Sequence, residues 1–184
     1  MVDVRNLGLE GVLEVTPTRF SDARGFFSET YNAVALAEAG IDFVFAQDNH
    51  SLSTAAGVLR GLHYQLPPFA QAKLVRVVRG AILDVAVDIR KRSPSFGKWI
   101  SLEVSAEKWN QILVPTGFAH GFVTLTENTE VIYKVTNPYS PTQDRGIRFD
   151  DPAIGIEWPT FPNGFVLSGK DRDAPGLAEA EIFD

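Results

Sequence analysis

Short apolar runs separated by turn residues constrain the fold of this chain more than any other feature of its sequence. Gly80, Gly97 and the Pro115-Thr116-Gly117 segment separate runs that are rich in Val, Ile, Leu and Phe. Those runs cover residues 74–78, 81–89, 99–104, 111–114, 121–126 and 130–135. Runs of this length and composition are typical of β-strands, and glycine and proline favour the turns between them. A series of closely spaced short strands indicates an all-β sandwich or barrel.

The segments on either side of this region add little regular structure. The pattern predicts a strand over residues 12–20 and one short helix over residues 33–39, which Asn32 can cap and Gly40 can end. From residue 150 onward the chain has several prolines and little periodicity, so we expect an irregular carboxyl-terminal segment with a short helix near residues 177–180. A length of 184 residues suits one domain over residues 1–184.

Composition argues against several classes of protein. The net charge of −6 does not suit the broad basic surface that binds nucleic acid. The chain has no cysteine, so it can form neither a disulfide framework nor a thiolate metal site. It shows no signal-peptide pattern and no apolar stretch approaching roughly 20 residues, so we expect a cytoplasmic protein without a membrane partner. Arg24, Arg60, Lys73 and Lys170 are still enough to form a local phosphate pocket.

An ionisable cluster on apolar, strand-forming sequence is the first functional signal. Residues 60–65 read Arg-Gly-Leu-His-Tyr-Gln, and Lys73 begins the apolar run that follows. Charged groups are costly to bury, so such a cluster requires a reason, although a histidine in a strand is more often a structural residue. Because side chains alternate along a strand, Arg60 and His63 share a face only if Gly61 forms a bulge or twist.

Residues 115–122, Pro-Thr-Gly-Phe-Ala-His-Gly-Phe, form a second informative stretch. The Pro-x-Gly-x-x-His spacing is similar to the second motif of the cupin superfamily, whose histidine commonly binds a metal. The first cupin motif normally contributes His-x-His and then a glutamate, whereas residues 63–65 read His-Tyr-Gln and no glutamate follows within five positions. Zinc and iron sites usually need three or more ligands, so the two motifs predict a cupin-like barrel without a metal site.

The chain as a whole resembles the dTDP-4-dehydrorhamnose 3,5-epimerase family of nucleotide-sugar epimerases. The segments that carry the resemblance are residues 22–29, 47–51, 60–65, 73–77, 115–122 and 167–171, together with Tyr133 and Tyr139. The resemblance implies a cupin-like double-stranded β-helix, or jelly roll, that inverts C3 and C5 of a 4-keto-6-deoxy sugar joined to dTDP. It also implies that no cofactor is needed, and that the protein is a homodimer in which residues 24–29 reach the site of the partner subunit.

The resemblance further implies roles for individual residues. His63 is the expected base, with Asp171 fixing its tautomer, and Lys73 is expected to stabilise the enolate oxygen. Tyr133, which its own sequence context leaves open between a core position and a site, is the expected acid on the opposite face of the sugar. The residues expected to bind the sugar, the diphosphate and the thymidine are Arg24, Phe26, Glu29, Gln47, Asn49, Arg60, His120, Tyr139, Asp144 and Lys170.

Two departures from the family pattern and three alternative functions accompany this interpretation. Asp144 stands where family members commonly carry glutamate, and Gly169 stands where many carry a bulkier polar residue. The motifs do not determine whether C3, C5 or both carbons are inverted, so a monofunctional 3- or 5-epimerase of a modified deoxysugar pathway is one alternative. A metal-dependent cupin enzyme and a non-catalytic module that binds a sugar nucleotide are the other two.

Overall fold

The computed structural model describes residues 2–184 of the chain as an antiparallel β structure with two short helices. In chain order the elements are β1 (Val2–Asn6), β2 (Leu13–Pro17), β3 (Phe20–Asp22), β4 (Gly25–Phe27), α1 (Ala33–Glu38), β5 (Gln47–Ser53), β6 (Leu59–Gln65), β7 (Lys73–Arg79), β8 (Ala81–Asp88), β9 (Trp99–Ser105), β10 (Gln111–Val114), β11 (Phe118–Thr124), β12 (Thr129–Val135), β13 (Asp144–Gly146) and α2 (Gly169–Arg172). All the strands predicted between residues 74 and 135 are present, which confirms the all-β class. The strand predicted over residues 12–20 is divided, because β2 ends at Pro17 and β3 begins at Phe20.

Two antiparallel sheets face each other and enclose the interior of a barrel. The first sheet has the strand order β1-β2-β10-β7-β12-β5, and the second has the order β13-β6-β11-β8-β9. From β5 to β13 the chain passes back and forth between the two sheets, except at the β8–β9 hairpin. This alternation is the jelly-roll arrangement, so the predicted cupin-like double-stranded β-helix is confirmed. The β3–β4 hairpin forms a small separate sheet whose residues are all exposed.

Three apolar clusters hold these layers together. The interior cluster includes Val75 and takes residues from both sheets. On the outer face of the first sheet, Leu74 packs with Leu36 of α1 in a second cluster. On the outer face of the second sheet, Leu62 packs with Ile147 and the carboxyl-terminal segment. Because Leu74 and Val75 are neighbours that point to opposite faces, one strand serves two clusters, as the two-residue period of a strand requires.

Helix α1 begins where predicted and ends at Glu38, one residue earlier than predicted. The Asn32 side chain accepts hydrogen bonds from the backbone N–H groups of Val34 at 3.1 Å and Ala35 at 3.2 Å. Gly40, just after the helix, has a φ of +84°, which a residue with a side chain rarely adopts. None of the helices formed by residues 2–184 combines the length and the apolar character needed to cross a membrane.

The helix predicted near residues 177–180 is wrong. Those residues form a single turn, in which the backbone N–H groups of Glu179 and Ala180 both donate to the carbonyl of Gly176. The backbone N–H of the buried Leu177 instead donates to Asp151 Oδ2 at 2.6 Å. In so short a segment the burial of Leu177 and its bond to Asp151 outweigh a weak local preference for a helix. Helix α2, which we did not predict, lies earlier in this carboxyl-terminal part of the chain.

A bulge in β6 is confirmed at the predicted glycine. His63 pairs with His120 of β11 but Arg60 pairs with Phe122, so β6 has one more residue than β11 between the two pairs. Gly61 has a φ of +133°, and a Cβ atom there would lie 2.5 Å from the backbone of β11. Glycine is therefore required at this position. The extra residue turns the side chains of Arg60 and His63 to the same side of the sheet.

Candidate active site

A cleft of roughly 240 Å³ opens between the two sheets where the inward-facing side chains become polar. Strands β5, β7 and β12 form one wall, strands β6 and β13 form the other, and α2 contributes to the rim. The cleft is lined by Gln47, Asn49, His63, Tyr64, Gln65, Gln71, Lys73, Tyr133, Tyr139, Asp144 and Lys170. All of these except Tyr64, Gln65 and Gln71 were predicted as site residues. The barrel therefore brings together segments that are far apart in the sequence.

A histidine bonded to a buried carboxylate lies on the second-sheet wall of the cleft. Nε2 of His63 is 2.5 Å from Oδ1 of Asp171, although the two residues are separated by more than half of the chain. The His63 side chain is 31% exposed, whereas that of Asp171 is only 4% exposed. An ionised carboxylate can only accept, so Nε2 carries the ring proton and Nδ1 keeps a lone pair. The imidazole can therefore take up a proton at Nδ1 while Asp171 holds its orientation.

Helix α2 fixes the position of Asp171. The hydroxyl of Ser168, the residue that caps this helix, accepts from the Asp171 backbone N–H at 3.1 Å and donates to Oδ2 at 2.7 Å. Burial alone would raise the pKa of Asp171, but hydrogen bonds from His63, Ser168 and the Gly61 backbone outweigh it and lower that pKa. The carboxylate is thus charged at neutral pH. We did not predict Ser168, although a serine three residues before Asp171 is a helix-capping signal.

A tyrosine lines the same cleft from the first sheet. Tyr133 of β12 lies between Asn49 of β5 and Val75 of β7 in the sheet register. Its side chain packs partly against the interior apolar cluster, and the residue also lines the polar cleft. The core position and the site position that the sequence left open therefore both hold in part. Burial raises the pKa of the Tyr133 phenol above its usual value. The phenol is therefore protonated at neutral pH and faces a cleft that His63 lines from the opposite sheet.

Lys73 places an amino group inside the barrel. The residue is only 9% exposed, and its Nζ donates to the backbone carbonyl of His63 at 3.2 Å. Burial lowers the pKa of Lys73 to about 8, although Asp84 and Asp144 act in the opposite direction. The group therefore loses its charge as the pH rises through about 8.

His120 has an acidic partner that sequence reasoning missed. Both carboxylate oxygens of Asp84 lie 2.9 Å from His120 Nε2, and both residues are buried. Burial lowers the pKa of His120 despite the nearby carboxylate, so the ring is neutral at pH 7. An acidic residue in the middle of the apolar run 81–89 is the signal that could have identified Asp84. Within residues 2–184, no three His, Cys, Asp or Glu side chains converge in a way that could hold a metal ion.

An acidic residue connects the groups at the rim. Asp144 Oδ2 accepts from the Tyr139 hydroxyl at 3.0 Å and also from Lys170 Nζ. The Asp144 side chain is only 13% exposed. Aspartate is thus long enough to link both partners, although family members commonly carry glutamate here. At Gly169, a Cβ atom would meet nothing within 4 Å, so the smaller residue removes no packing contact.

Five of the predicted binding residues do not line the cleft, and one of them is His120, which is buried against Asp84. Arg60 lies on the bulged strand β6, and its guanidinium is 3.4 Å from the Ser53 hydroxyl of β5. Arg24 and Phe26 belong to the exposed β3–β4 hairpin, where Arg24 forms an ion pair within the hairpin itself. Glu29 lies beyond the hairpin beside a separate small pocket. A single copy of the chain does not bring these last three residues to the cleft.

The fold and the cleft define a class of protein before any comparison is made. The molecule is a cupin-like barrel in which an imidazole and a phenol line one polar cleft from opposite sheets. A family model described as dTDP-4-dehydrorhamnose 3,5-epimerase matches residues 6–179. The chain belongs to this family.

Characterised relatives resemble the chain over almost its full length. It is 50% identical over 185 residues to the dTDP-4-dehydrorhamnose 3,5-epimerase of Salmonella typhimurium, and the match covers 100% of both chains. The structure of the corresponding Bacillus anthracis enzyme, solved with TDP and pyrophosphate bound, superposes with a TM-score of 0.92 at 44% identity and covers 96% of this chain and 99% of that one. A Legionella pneumophila dTDP-6-deoxy-D-glucose-3,5-epimerase in complex with dTDP-4-keto-L-rhamnose gives a TM-score of 0.93 at 40% identity, covering 97% of this chain and 94% of that one.

Proposed function

We propose that this protein is a dTDP-4-dehydrorhamnose 3,5-epimerase that converts dTDP-4-dehydro-6-deoxy-D-glucose to dTDP-4-dehydro-L-rhamnose. The observation that carries the proposal is that His63, oriented by Asp171, lines the same cleft as Tyr133 from the opposite sheet. Family membership and the ligands of the two solved relatives support the same substrate class.

The chemistry of the sugar explains why these two groups are needed. The hydrogens on C3 and C5 are both α to the C4 ketone, so removal of either one gives an enolate. Inversion then requires a base on one face of the ring, an acid on the other and a stabilised oxygen between them. Two opposed groups in one cleft satisfy the first two requirements with proton transfers alone.

Each residue suits one part of this cycle. His63 removes the proton through Nδ1, and Asp171 stabilises the imidazolium that forms. Tyr133 donates a proton from the opposite face, because burial keeps its phenol protonated. The Lys73 ammonium supplies positive charge for the enolate oxygen, where a buried charge acts more strongly than an exposed one.

The remaining residues are proposed to hold the nucleotide. Lys170 supplies a cation at the rim for the diphosphate, and the exposed ring of Tyr139 offers a face on which a base can stack. Gln47, Asn49, Arg60, His120 and Asp144 offer hydrogen bonds within or beside the cleft.

A homodimer with shared sites is part of the same proposal. The β3–β4 hairpin carries Phe20, Phe26 and Phe27, which are 59%, 55% and 66% exposed. Exposed aromatic residues at this density suit a contact with another protein surface. A second copy could bring Arg24 and Glu29 to the cleft that the first copy leaves without them. The cytoplasmic location expected from the sequence stays a prediction.

Deuterium exchange tests the proposed activity directly. When the protein is incubated with dTDP-4-dehydro-6-deoxy-D-glucose in deuterium oxide, we expect NMR to show deuterium at both C3 and C5. Exchange at one carbon alone would identify a monofunctional epimerase, and tight dTDP binding without exchange would identify a binding module. Loss of activity together with a stoichiometric metal would favour the metal-dependent alternative.

A matched pair of histidine variants tests the base. His63→Asn should slow exchange by roughly 10²- to 10⁴-fold, the usual contribution of a general base. His50→Asn is the control, because His50 is exposed and pairs with Glu130 outside the cleft. If the His63 variant exchanges at the rate of the His50 variant, the assignment of the base is wrong.

A further inference from the structure

Asp84 is a buried charge that the proposed mechanism has not used. Its side chain is 0% exposed, yet within residues 2–184 its one side-chain hydrogen-bond donor is Nε2 of His120. A carboxylate has about four lone-pair positions, so a single N–H donor leaves most of its charge uncompensated. Asp88, four residues along the same strand, shows the contrast: it is equally buried but accepts from Arg90, Ser93 and Ser95.

The missing positive charge comes from across the barrel. Lys73 reaches from the first sheet to the carbonyl of His63 on the second sheet. His63 is the register partner of His120, and the Lys73 ammonium acts electrostatically on the His120 ring that Asp84 binds. Among the acidic groups that act on Lys73, Asp84 is the strongest and Asp144 is second. Asp84, His120 and Lys73 therefore form one electrostatic unit that is contributed by three strands.

We propose that Asp84 is a positioning residue, which fixes His120 as the Nε2–H tautomer and provides the buried negative charge that keeps the Lys73 ammonium inside the barrel. The Nε2–H tautomer leaves Nδ1 of His120 as an acceptor for a sugar hydroxyl or for a neighbouring donor. Neither effect requires Asp84 to touch the substrate. The kinetic part of this inference rests on the proposed epimerase activity.

The charged and titratable groups around Lys73 determine what a change at Asp84 should do. These groups are His63 on β6, Asp84 on β8, His120 on β11, Tyr133 on β12, Asp144 on β13 and Lys170 on α2. Asp84 and Asp144 are the acids in this set, so removing the charge of Asp84 leaves Asp144, which Lys170 already pairs. The ammonium of Lys73 should then lose its proton at lower pH than in the wild type.

The test is the pH dependence of kcat/KM for Asp84→Asn. We expect the alkaline decrease in rate to move to lower pH by about one unit, so the variant-to-wild-type ratio is about sixfold lower at pH 8.5 than at pH 6.5. Asp88→Asn is the matched control: it removes a buried carboxylate of the same strand outside the cleft, so it should lower the melting temperature without moving the pH profile. The proposal is overturned if Asp84→Asn does not shift the pH profile of kcat/KM, or if both variants shift it equally.

A second measurement does not depend on the variant folding or on the activity. In the wild-type protein at pH 7, ¹⁵N spectra of the imidazole groups should show His120 as a neutral ring with its proton on Nε2. A ring protonated on Nδ1, or on both nitrogens, contradicts the role of Asp84. If the wild type catalyses no exchange, the proposed function fails while this spectrum still decides the role of Asp84.

Discussion

At the scale of single residues, the barrel buries ionisable groups in three different ways. Asp171 is compensated by several hydrogen bonds, Asp84 by its bond to His120 and the charge of Lys73, and Lys73 by one carbonyl and the charges of Asp84 and Asp144. Burying a charge costs free energy that such partners only partly return. The cost is visible in Lys73, because burial lowers its pKa from 10.5 to about 8. A residue retained at such a cost is a candidate for function.

Lys73→Met should show the free-energy cost of burying the ammonium separately from the role of Lys73 in catalysis. The unfolded chain binds a proton at Lys73 up to about pH 10.5, whereas the folded protein releases it near pH 8, so the stability of the wild type should rise between these values. At pH 7 the variant should be more stable by on the order of 3 kcal/mol, and this advantage should disappear as the pH approaches 10.5. Urea unfolding at pH 7 and pH 10 measures both quantities.

Lys91→Met is the control for this experiment. Lys91 is exposed and pairs with Asp184 at the surface, so its replacement should change the free energy of unfolding by less than about 1 kcal/mol at either pH. Epimerase activity should fall only in the Lys73 variant. A Lys73 variant that is less stable than the wild type at pH 7 would show that the ammonium stabilises the fold.

At the scale of elements, the four-residue helix α2 contributes more to the proposed site than its length suggests. The helix holds Asp171 behind His63 and places Lys170 at the rim, so one short element serves both the proposed base and the proposed phosphate contact. A helix this short has little intrinsic stability, and its Ser168 cap therefore contributes much of what holds it.

Ser168→Ala should weaken catalysis although Ser168 is not expected to touch the substrate. Loss of the cap should cost about 1 kcal/mol of stability, and a less constrained Asp171 should lower kcat by roughly ten- to a hundredfold. Ser105→Ala is a matched control, because the Ser105 hydroxyl likewise accepts from the backbone N–H three residues later. The control should lose similar stability and keep its kcat. Equal kcat values for the two variants would show that the cap of α2 does not contribute to the proposed catalysis.

At the scale of the whole molecule, one chain leaves the proposed site incomplete. Arg24 and Glu29 lie near the exposed hairpin and away from the cleft, so the proposed use of these residues requires a second subunit. Twofold-symmetric dimers, in which both subunits use the same surface patch, are the commonest form of oligomer and would complete both sites at once.

Mixing two inactive variants tests this sharing. When Arg24→Ala and His63→Asn chains are unfolded, mixed and refolded, half of the dimers should be mixed, and each of these has one intact site. Activity should therefore recover to about a quarter of the wild-type value. A mixture of His63→Asn and Tyr133→Phe is the control, because both residues line the cleft of the same chain and no intact site can form. No recovery in the first mixture would place Arg24 outside the site of the partner.

The sequence by itself determined the strands between residues 74 and 135, the helix α1 and the bulge at Gly61. Each has a local signal in the chain: short apolar runs between turn residues, a capping side chain, or a glycine that can adopt a positive φ. The family motifs carried the resemblance that singled out His63, Lys73 and Tyr133, and the barrel then brought these three into one cleft.

Apart from the pairing of His63 with Asp171, which the family resemblance implied, tertiary structure decided which side chains meet. The pairing of His63 with Asp171 and of His120 with Asp84 joins residues on different elements, and no local pattern encodes such a distance. The turn at residues 177–180 was mispredicted for the same reason, since burial of Leu177 and its bond to Asp151 outweigh a weak local preference. Local propensities set the elements, whereas packing of the two sheets selects the contacts, because only the folded barrel brings both walls within hydrogen-bonding distance.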